Sequence, residues 1–404
     1  MSPDELEAWL RLTLTQGVGN GTARRLLSRF GLPQEVFRQT DSALAQCVTA
    51  VQARALRTVP ATLAALLQTT SDWLSGADPQ GSARAIVSLG DARYPQSLLD
   101  TEDPPILLYV LGPYRLVNGQ PFAGDRCLAV VGSRNPTAQG AENARFFARA
   151  LHSAGLTIVS GLALGVDAAA HEGALEAAAG GTGTGTGAGI GEGEGEGAAG
   201  AAATIAVVGT GLDRVYPRKN LDLAHRIVAQ GLLVSEYPLG TPPLAANFPK
   251  RNRIISGLSQ GTLVVEAALA SGSLITARMA AEQGREVFAI PGSIHAPQSR
   301  GCHALIRQGA KLVESAQDVL EELRLPTLVR CTELVGSQTV PADSAPEVDD
   351  PVLHALGFDP LGIDALVART GMGAATLQVH LLELELDGRV ARMPGGLFQR
   401  VDRA

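Results

Sequence analysis

The sequence predicts an α/β protein whose largest domain is an extended Rossmann-like, doubly wound parallel sheet. Six short apolar runs alternate with segments of helical periodicity between residues 128 and 290. Near-continuous apolar runs of this kind indicate parallel strands that are buried on both faces. Gly155, Gly231 and Gly284 each stand just before a run, where the preceding helix would end. The predicted strands are residues 128–131, 157–159, 204–208, 232–235, 262–265 and 287–290.

The first of these strands leads into a turn that suits an anion. Residues 128–131 are Leu-Ala-Val-Val, the turn is Gly132, Ser133 and Arg134, and a helical pattern follows over residues 139–152. In doubly wound sheets the strand carboxyl ends and the helix N-termini meet at the ligand. Because a guanidinium beside backbone N–H groups suits phosphate, we expect this turn to bind one.

Composition limits the classes of protein that the chain can belong to. Its 404 residues are enough for two or three domains, and 45% hydrophobic with 18% charged residues is ordinary globular composition. The net charge of -7 excludes a protein that coats polyanions with its whole surface. Any contact with nucleic acid must therefore come from a local basic patch.

The cysteines and the N-terminus indicate the compartment. The four cysteines are widely spaced and form no C-x-x-C pair, which is typical of reduced thiols rather than of disulfides or metal ligands. The acidic N-terminus lacks a signal-peptide apolar run, and no apolar stretch reaches the ~18 residues that a bilayer span needs. We expect a cytoplasmic protein with no membrane association and no metal site.

Residues 1–80 predict a separate all-α domain, because Ala and Leu recur there at helical spacing with short breaks. Residues 12–27 resemble a helix-hairpin-helix or SAM-like turn, with Gly-Val-Gly at residues 17–19. Such a turn can aim N–H groups at a phosphate, with Arg24 and Arg25 nearby, or it can simply pack. Seven Arg are balanced by seven Asp and Glu in this segment, so it has no net positive charge to attract DNA. The sequence therefore favours the packing interpretation of the turn.

The sheet domain is expected to span residues 81–325, with additions at its edge and inside it. The runs 85–89 and 106–112 predict two strands added to the edge of the sheet. Glycine occupies every second position over much of residues 178–203, which predicts a disordered insertion that cannot pack a core. Residues 326–349 contain Pro, Ser and acidic residues and are expected to form a linker.

Residues 350–404 predict a winged-helix domain. Two helical segments separated by a glycine turn precede two short strands across Pro-Gly-Gly, which is the order of a winged helix-turn-helix. The predicted recognition helix has no Lys or Arg and carries Glu383 and Glu385. Because phosphates would repel this charge, the sequence favours protein contact or simple packing over DNA reading.

Two further strands of the predicted sheet also end in glycine-rich turns. Ser160 and Gly161 follow the second strand, and Gly-Thr-Gly at residues 209–211 follows the third. Three such turns at one sheet edge carry more weight than any one alone. Asp167 and His171, four residues apart, either form an acid–base pair or serve the helix locally, and the second interpretation is favoured.

The densest basic cluster lies at residues 247–259. Lys250, Arg251 and Arg253 stand within four residues beside Phe248, after a proline-rich loop. Cations that hold phosphates and a ring that stacks on an unpaired base together predict single-strand binding. The alternative is a capped, solvated helix start, but this explains poorly a Phe set among charges in a loop. The full set of residues predicted to bind nucleic acid is Gly132, Ser133, Arg134, Ser160, Gly161, Asn247, Phe248, Lys250, Arg251, Asn252, Arg253, Ser271 and Ser273.

Ser271 and Ser273 enter this set because small hydroxyl residues at a predicted helix start offer O–H and N–H donors to phosphate. Glu266 stands just before them, at the end of a predicted strand. A carboxylate among phosphate ligands either accepts a hydrogen bond from a ribose or base, or orders arginine side chains. The sequence leaves both roles open.

Together these motifs closely resemble the DNA-processing protein A (DprA/Smf) family. The resemblance covers about residues 86–323, and the accessory domains at both ends also look like those of the family. Its most specific segments are residues 131–134, 158–171, 248–259 and 266–277.

The resemblance implies a single-stranded DNA-binding protein of natural transformation. Such a protein protects incoming strands, loads the RecA recombinase onto them, dimerises through the sheet domain, needs no cofactor and catalyses no reaction. Some members place a Lys three residues before the Phe, and this chain has Ala245 there. Part of the affinity would then come from Lys250 or from the arginine of the glycine turn.

An enzyme is the alternative. Residues 259–266 resemble the Gly-Gly-x-Gly-Thr-x-x-Glu turn of nucleoside-monophosphate phosphoribohydrolases related to the lysine-decarboxylase-like proteins, in which Glu and Arg act on the nucleotide. Only one glycine of that motif remains in this chain, at Gly261. The sequence therefore favours the binding protein.

Overall fold

A computed structural model describes residues 1–76, 81–122, 126–180, 201–325, 350–357, 360–393 and 395–401. The predicted linker at 326–349 lies outside these residues, as does most of the predicted insertion. The predicted insertion is too long at both ends. The helix before it continues to Gly180, and Ala202 and Ala203 behind it are buried, with the N–H of Ala203 donating to Gln230 O.

The first 76 residues are helical, as the sequence predicts. In the first helix Pro3 occupies the first turn, and Ser2 and Glu5 cap it reciprocally through side chain and backbone. The helices are α1 (Pro3–Leu14), α2 (Asn20–Phe30), α3 (Pro33–Arg38), α4 (Asp41–Leu44), α5 (Ala50–Arg57) and α6 (Leu63–Ser75).

The hairpin between α1 and α2 contacts protein. Arg24 donates to the carbonyl of Glu102 at 2.9 Å, and Asn20 lies 3.5 Å from the carboxylate of Asp103. The acidic side chain beside this turn fits the packing interpretation. Behind it, Trp73 of α6 meets the buried Tyr109 edge to face, with the ring centroids 6.0 Å apart.

Nine strands form one sheet in the described residues, in the order β1-β2-β6-β5-β4-β3-β7-β8-β9. The strands from β6 through β9 in this order are parallel, and β1 and β2 are antiparallel additions at the edge, as predicted. The strands are β1 (Ser82–Ser88), β2 (Leu107–Pro113), β3 (Cys127–Val131), β4 (Thr157–Ser160), β5 (Thr204–Val207), β6 (Leu232–Ser235), β7 (Gly261–Val264), β8 (Glu286–Ala289) and β9 (Lys311–Leu312).

All six predicted strands are present, with ends that differ by at most one residue. The short strand β9 was not predicted, because its two residues are exposed and carry no apolar pattern.

Helices cover both faces of the sheet, which makes it doubly wound. Alternate residues of β3 enter different cores. Leu128 packs with Phe147 on one face, and Ala129 packs with Ile254 on the other. The helices of this region are α7 (Gln96–Leu99), α8 (Tyr114–Asn118), α9 (Ala138–Ser153), α10 (Val166–Gly180), α11 (Leu221–Gln230), α12 (Asn247–Leu258), α13 (Ser273–Glu282), α14 (Arg300–Arg307) and α15 (Ala316–Glu322).

The C-terminal segment is a winged helix, as predicted. Gly371 takes a left-handed conformation (φ 70°) in the turn between the second and third helices, where a side chain would be strained. The elements are α16 (Pro351–Leu356), β10 (Leu361–Gly362), α17 (Ile363–Thr370), α18 (Ala374–Leu386), β11 (Val390–Met393) and β12 (Leu397–Arg400). Within the described ranges, no helix is long and apolar enough to cross a membrane.

Candidate nucleic-acid interface

The sheet order places the predicted turns side by side. β5, β4, β3 and β7 are consecutive neighbours and run in parallel, so their carboxyl ends share one edge. This edge carries the turns that begin at Val208, Gly161, Gly132 and Val265. We call it the carboxyl edge.

The turn after β3 exposes one cation and packs its backbone tightly. Arg134 is exposed, whereas the carbonyl of Ser133 accepts a hydrogen bond from Val166 N at 3.1 Å. A Cβ at Gly132 would lie 2.7 Å from Val166 Cγ2 and 2.9 Å from Glu266 O. Glycine is therefore required here so that the turn can reach the start of α10.

Glu266 plays neither of the roles that the sequence left open. Its carboxylate accepts hydrogen bonds from Thr137 N at 2.9 Å and from Thr137 Oγ1 at 2.6 Å. Thr137 in turn caps α9, since Gly140 N donates to its hydroxyl at 2.9 Å. The acid holds the start of the helix that follows the Arg134 turn, so it positions the site rather than contacting a ligand.

The donors at the start of the turn after β4 are bonded within the protein, which corrects the prediction that they face a ligand. The hydroxyl of Ser160 is inaccessible and donates to Val130 O at 2.7 Å. The N–H groups of Gly161 and Ala163 donate to the carboxylate of Asp167 at 3.2 and 3.3 Å. These donors hold the protein together, because buried polar groups must find internal partners.

His171 forms no acid–base pair with Asp167. Its Nδ1 lies 2.7 Å from Thr204 Oγ1, whose own hydrogen goes to Ile158 O, so Nδ1 carries the proton and donates. Burial, reinforced by the charge of Arg251, lowers the pKa of His171 from 6.5 to about 3. The imidazole is therefore neutral at physiological pH, as the local interpretation expects.

Phe248 and the basic residues after it lie on a helix, not on a loop as the sequence suggested. α12 begins at Asn247, whose side chain donates to Gly209 O at 3.1 Å. Helical spacing turns Arg251 inward with Ile254 and leaves Lys250 exposed. The three cations therefore do not share one surface.

Arg251 is buried and connects α12 to the end of β5. The residue is only 4% exposed, and its guanidinium donates to the carbonyl of Val207, the last residue of β5. A Cβ at Gly161 would fall 2.2 Å from its Nη1. Burial lowers the pKa of Arg251 to about 10, and the charge of Asp167 opposes this shift. The guanidinium remains charged at neutral pH and is compensated from inside the protein.

Arg253 is also engaged by the protein. It forms salt bridges with Glu236 and with Asp103, the latter at 3.2 Å, and these link α12 to the end of β6 and to the loop beside the N-terminal hairpin. The sequence predicted that Arg251 and Arg253 bind nucleic acid, whereas in the structure both guanidinium groups already have partners within the protein. A charged side chain on a helix that packs against a sheet needs a partner when its position faces inward.

An aromatic and cationic cluster remains at the surface of the carboxyl edge. The guanidinium carbon of Arg134 lies 6.0 Å from the ring centroid of Phe248. On the same ring, Tyr216 packs at 5.5 Å with a tilt of 38°. Gly209 allows Phe248 to sit here, because a Cβ would stand 3.2 Å from Phe248 Cδ1. We call Arg134, Phe248 and Tyr216 the aromatic cluster.

Tyr216 is the residue that the sequence reasoning missed. It is 49% exposed and lies in the basic loop after β5. The sequence did contain a signal for it, because Tyr216 is followed after one residue by Arg218 and Lys219. Phe248 was identified from the same combination of an aromatic residue and nearby cations. Proximity to Phe248, which no sequence spacing reveals, is what makes it part of the cluster.

The chain segments that carry the aromatic cluster contain several exposed cations, Arg134 of the cluster among them. Among the described residues, none of them has a salt bridge, in contrast to Arg214, which pairs with Asp213 at 2.7 Å. They are Arg134, Arg218, Lys219 and Lys250. Unpaired cations at the surface are free to meet phosphate.

The remaining predicted residues lie on α12 and at the start of α13. Ser271 and Ser273, before and at the start of α13, lie with their hydroxyl oxygens 2.7 Å apart, and Ser273 is buried. Asn252 is half-buried on α12. The described residues contain no group of three or more His, Cys, Asp or Glu that could hold a metal ion.

By fold, the protein is a Rossmann-like α/β protein joined to a winged-helix domain. It belongs to the DNA recombination-mediator protein A family, whose sequence model matches residues 85–324. The DprA winged helix domain matches residues 337–396. The resemblance to the DprA/Smf family is thereby confirmed.

Relatives in two well-separated bacteria show the extent of the similarity. Protein Smf of Escherichia coli (strain K12) is 43% identical over 317 residues, which cover 77% of this chain and 76% of the relative. DNA processing protein DprA of Streptococcus pneumoniae is 44% identical over 235 residues, or 58% of this chain and 73% of the relative. The X-ray structure of the latter species' DprA superposes with a TM-score of 0.61 at 36% identity, covering 80% of this chain and 98% of that one.

Proposed function

We propose that the protein binds single-stranded DNA across the carboxyl edge. The observation that carries this proposal is the aromatic cluster, in which both Arg134 and Tyr216 contact the half-buried ring of Phe248. Rings of this kind stack on bases, and bases offer their faces only when the strand is unpaired. Phosphates of the same strand would meet the exposed cations of the edge.

The contacts divide into two layers. We propose that Arg134, Phe248 and Lys250 contact the strand directly, together with backbone groups of Gly132 and Ser133. Ser160, Gly161, Arg251 and Arg253 support this surface from beneath, because their polar groups already bond within the protein. Ala245 adds no charge at the position where some relatives carry Lys. Lys250 is the exposed cation of α12 that can take over this contact with phosphate.

The cellular role that we propose is the one that the family resemblance implies. The protein would protect incoming single strands in natural transformation and load RecA onto them, as a homodimer held through the sheet domain. Its support is membership of a family described as recombination mediators, with curated relatives named DNA processing proteins. None of these steps requires the protein to catalyse a reaction.

A non-enzymatic role also agrees with the chemistry of the edge. The carboxylate of Glu266, which in the phosphoribohydrolase alternative would act on the nucleotide, accepts hydrogen bonds from both donors of Thr137. No observation favours that alternative over strand binding.

Fluorescence anisotropy with a labelled oligothymidylate tests the proposal. Phe248→Ala should weaken binding about 5- to 100-fold, since a stacked base contributes about 1–3 kcal/mol. Arg134→Ala should weaken it and lower the slope of log K against log salt by about 0.7 for one lost phosphate contact. Arg29→Ala is the matched control. It removes an exposed arginine of α2, far in sequence from the proposed site, and should bind normally.

Arg134→Ala should retain the wild-type urea midpoint, because Arg134 is exposed, and Phe248→Ala should still fold cooperatively, because its ring is only half-buried. Normal affinity of both Arg134→Ala and Phe248→Ala would overturn the proposal. Equal losses on duplex and single strands would contradict the preference for unpaired bases.

A further inference from the structure

The outward face of α18 carries an apolar stripe that nothing in the described chain covers. Val379, Leu382 and Leu386 are 60%, 56% and 80% exposed, and Ala375 is exposed in line with them. Their spacing of four, three and four residues places them on one side of the helix. The opposite side holds Leu377, Leu381 and Leu384 in the domain core.

This arrangement differs from an ordinary surface helix. A helix that packs on one side normally presents polar residues to water on the other. Three large apolar side chains in a row on the exposed side mark a contact surface instead. The helix is also the recognition helix of the winged-helix domain, the element that would enter a DNA groove.

DNA does not fit this surface. Within α18 there is no Lys or Arg, and Glu383 and Glu385 flank the stripe on its two sides. Phosphates would be repelled by these carboxylates, and base edges would meet only aliphatic groups. The chemistry of the stripe therefore favours an apolar protein surface as its partner.

We propose that the occupant is α18 of a second copy of this chain, packed antiparallel across a two-fold axis. The spacing of the stripe is the same in both directions, so a copy reversed about the midpoint between Val379 and Leu382 places every apolar position of the stripe opposite another one. The small Ala375 then faces the large Leu386 of the other copy at each end. A self-complementary surface of this kind is what a two-fold interface needs.

The charges favour the antiparallel arrangement over the parallel one. Glu383, Glu385 and the following Asp387 all lie at the carboxyl end of α18. In a parallel pair they would face the same acids of the partner. In an antiparallel pair they face the start of the partner helix, which has no acidic residue and whose N-cap, Gly373, makes no side-chain cap. The free N–H groups and the helix dipole attract anions there.

The contact is expected to be weak when it acts alone. A helix of 13 residues is about 20 Å long, and such a pair buries much less than the ~800 Å² per partner of a stable complex. Detection of the pair therefore needs concentrated protein, or chains that are already held close together, since tethering raises the effective concentration.

Cysteine cross-linking of the full-length chain tests this proposal. Ala375→Cys and Leu386→Cys are made separately in a chain that carries Cys47→Ser and Cys331→Ser, and the two proteins are mixed with a short bismaleimide. Antiparallel pairing links position 375 of one chain to position 386 of the other. Links between identical positions are not formed, because these lie 11 residues, or about 16 Å, apart along the axis.

A matched pair of substitutions separates the stripe from the rest of α18. Leu382→Glu should reduce the 375-to-386 cross-link about tenfold or more, whereas Thr376→Glu, exposed about 100° round the helix, should leave it unchanged. Both variants should bind oligothymidylate normally, so the result does not depend on the proposed DNA site. Links between identical positions, or no cross-link in the mixture, would overturn the proposal.

Discussion

Arg134 and Arg251 serve the same edge of the sheet in different ways. Arg134 is exposed beside Phe248, whereas Arg251 lies beneath, bonded to Val207 O and close to Asp167. An exposed guanidinium is free to bind a ligand, but a buried one must be satisfied by the protein. The comparison teaches that a cluster of basic residues in a sequence is not a binding surface until the burial of each member is known.

The largest expected effect is on the free energy of unfolding, when the buried and the exposed arginine are each replaced by Met. Arg251→Met should lower the free energy of unfolding by about 3–5 kcal/mol, because it leaves the buried Asp167 without its counter-charge. Arg134→Met should change stability by less than about 0.5 kcal/mol, as surface substitutions do, yet weaken binding to single-stranded DNA. Urea unfolding and anisotropy of both variants provide the measurements.

The opposite pair of results for Arg251→Met would contradict this comparison. An Arg251→Met protein that unfolds at the wild-type urea concentration but has lost DNA affinity would make Arg251 a phosphate ligand, as the sequence suggested.

Acid should affect the inner layer more than the surface. The pKa of His171 is about 3 in the fold against 6.5 for an unperturbed histidine. Between these values the unfolded chain binds the proton and the folded chain does not, so stability falls as pH falls. The loss from this group is about 1.4 kcal/mol per pH unit below pH 6.5, and it is absent above that pH.

His171→Gln isolates this contribution, because Gln can still donate to Thr204 and does not titrate. The difference in unfolding free energy between wild type and variant should change with pH only below about 6.5. A difference that is constant from pH 7.5 to pH 5 would show that His171 is not held neutral.

The smallest expected effect tests the outer layer at Tyr216. Tyr216→Ala should weaken oligothymidylate binding by about 1 kcal/mol, or roughly fivefold, because Phe248 loses its supporting ring and the strand loses a stacking surface. Stability should be almost unchanged, since the ring is half exposed. Tyr216→Phe should bind normally. A full loss with Phe would indicate that the hydroxyl, not the ring, makes the contact.

Much of the fold follows from local sequence patterns. Each predicted strand is a buried apolar run, and such runs are visible because both faces of a parallel strand need apolar side chains. The exposed β9 has no such pattern and was missed. The glycine turns at Gly132 and Gly161 were also visible, because a side chain at either position would clash with a neighbouring residue: Val166 and Glu266 at Gly132, and the Arg251 guanidinium at Gly161.

The site was predicted less completely. Phe248 and Arg134 were identified from residue type, but the helical start of α12 was taken for a loop, and this error placed Arg251 and Arg253 at the surface. Ser160 was expected to meet a ligand and instead bonds to Val130. Glu266 was expected either to accept from a ribose or base or to order arginine side chains, and it instead accepts from Thr137. Residue type indicates what a group can bind, and packing decides which partner reaches it first.

The sequence by itself determined the family, the doubly wound sheet, the winged helix and the edge at which the turns gather. These depend on periodicity and on glycine positions, which are local properties of the chain. Only the tertiary structure decided which cations remain free and that Tyr216 stands beside Phe248. Such facts depend on contacts between residues far apart in sequence, such as Phe248 with Tyr216 and Arg251 with Val207, and no local pattern encodes them.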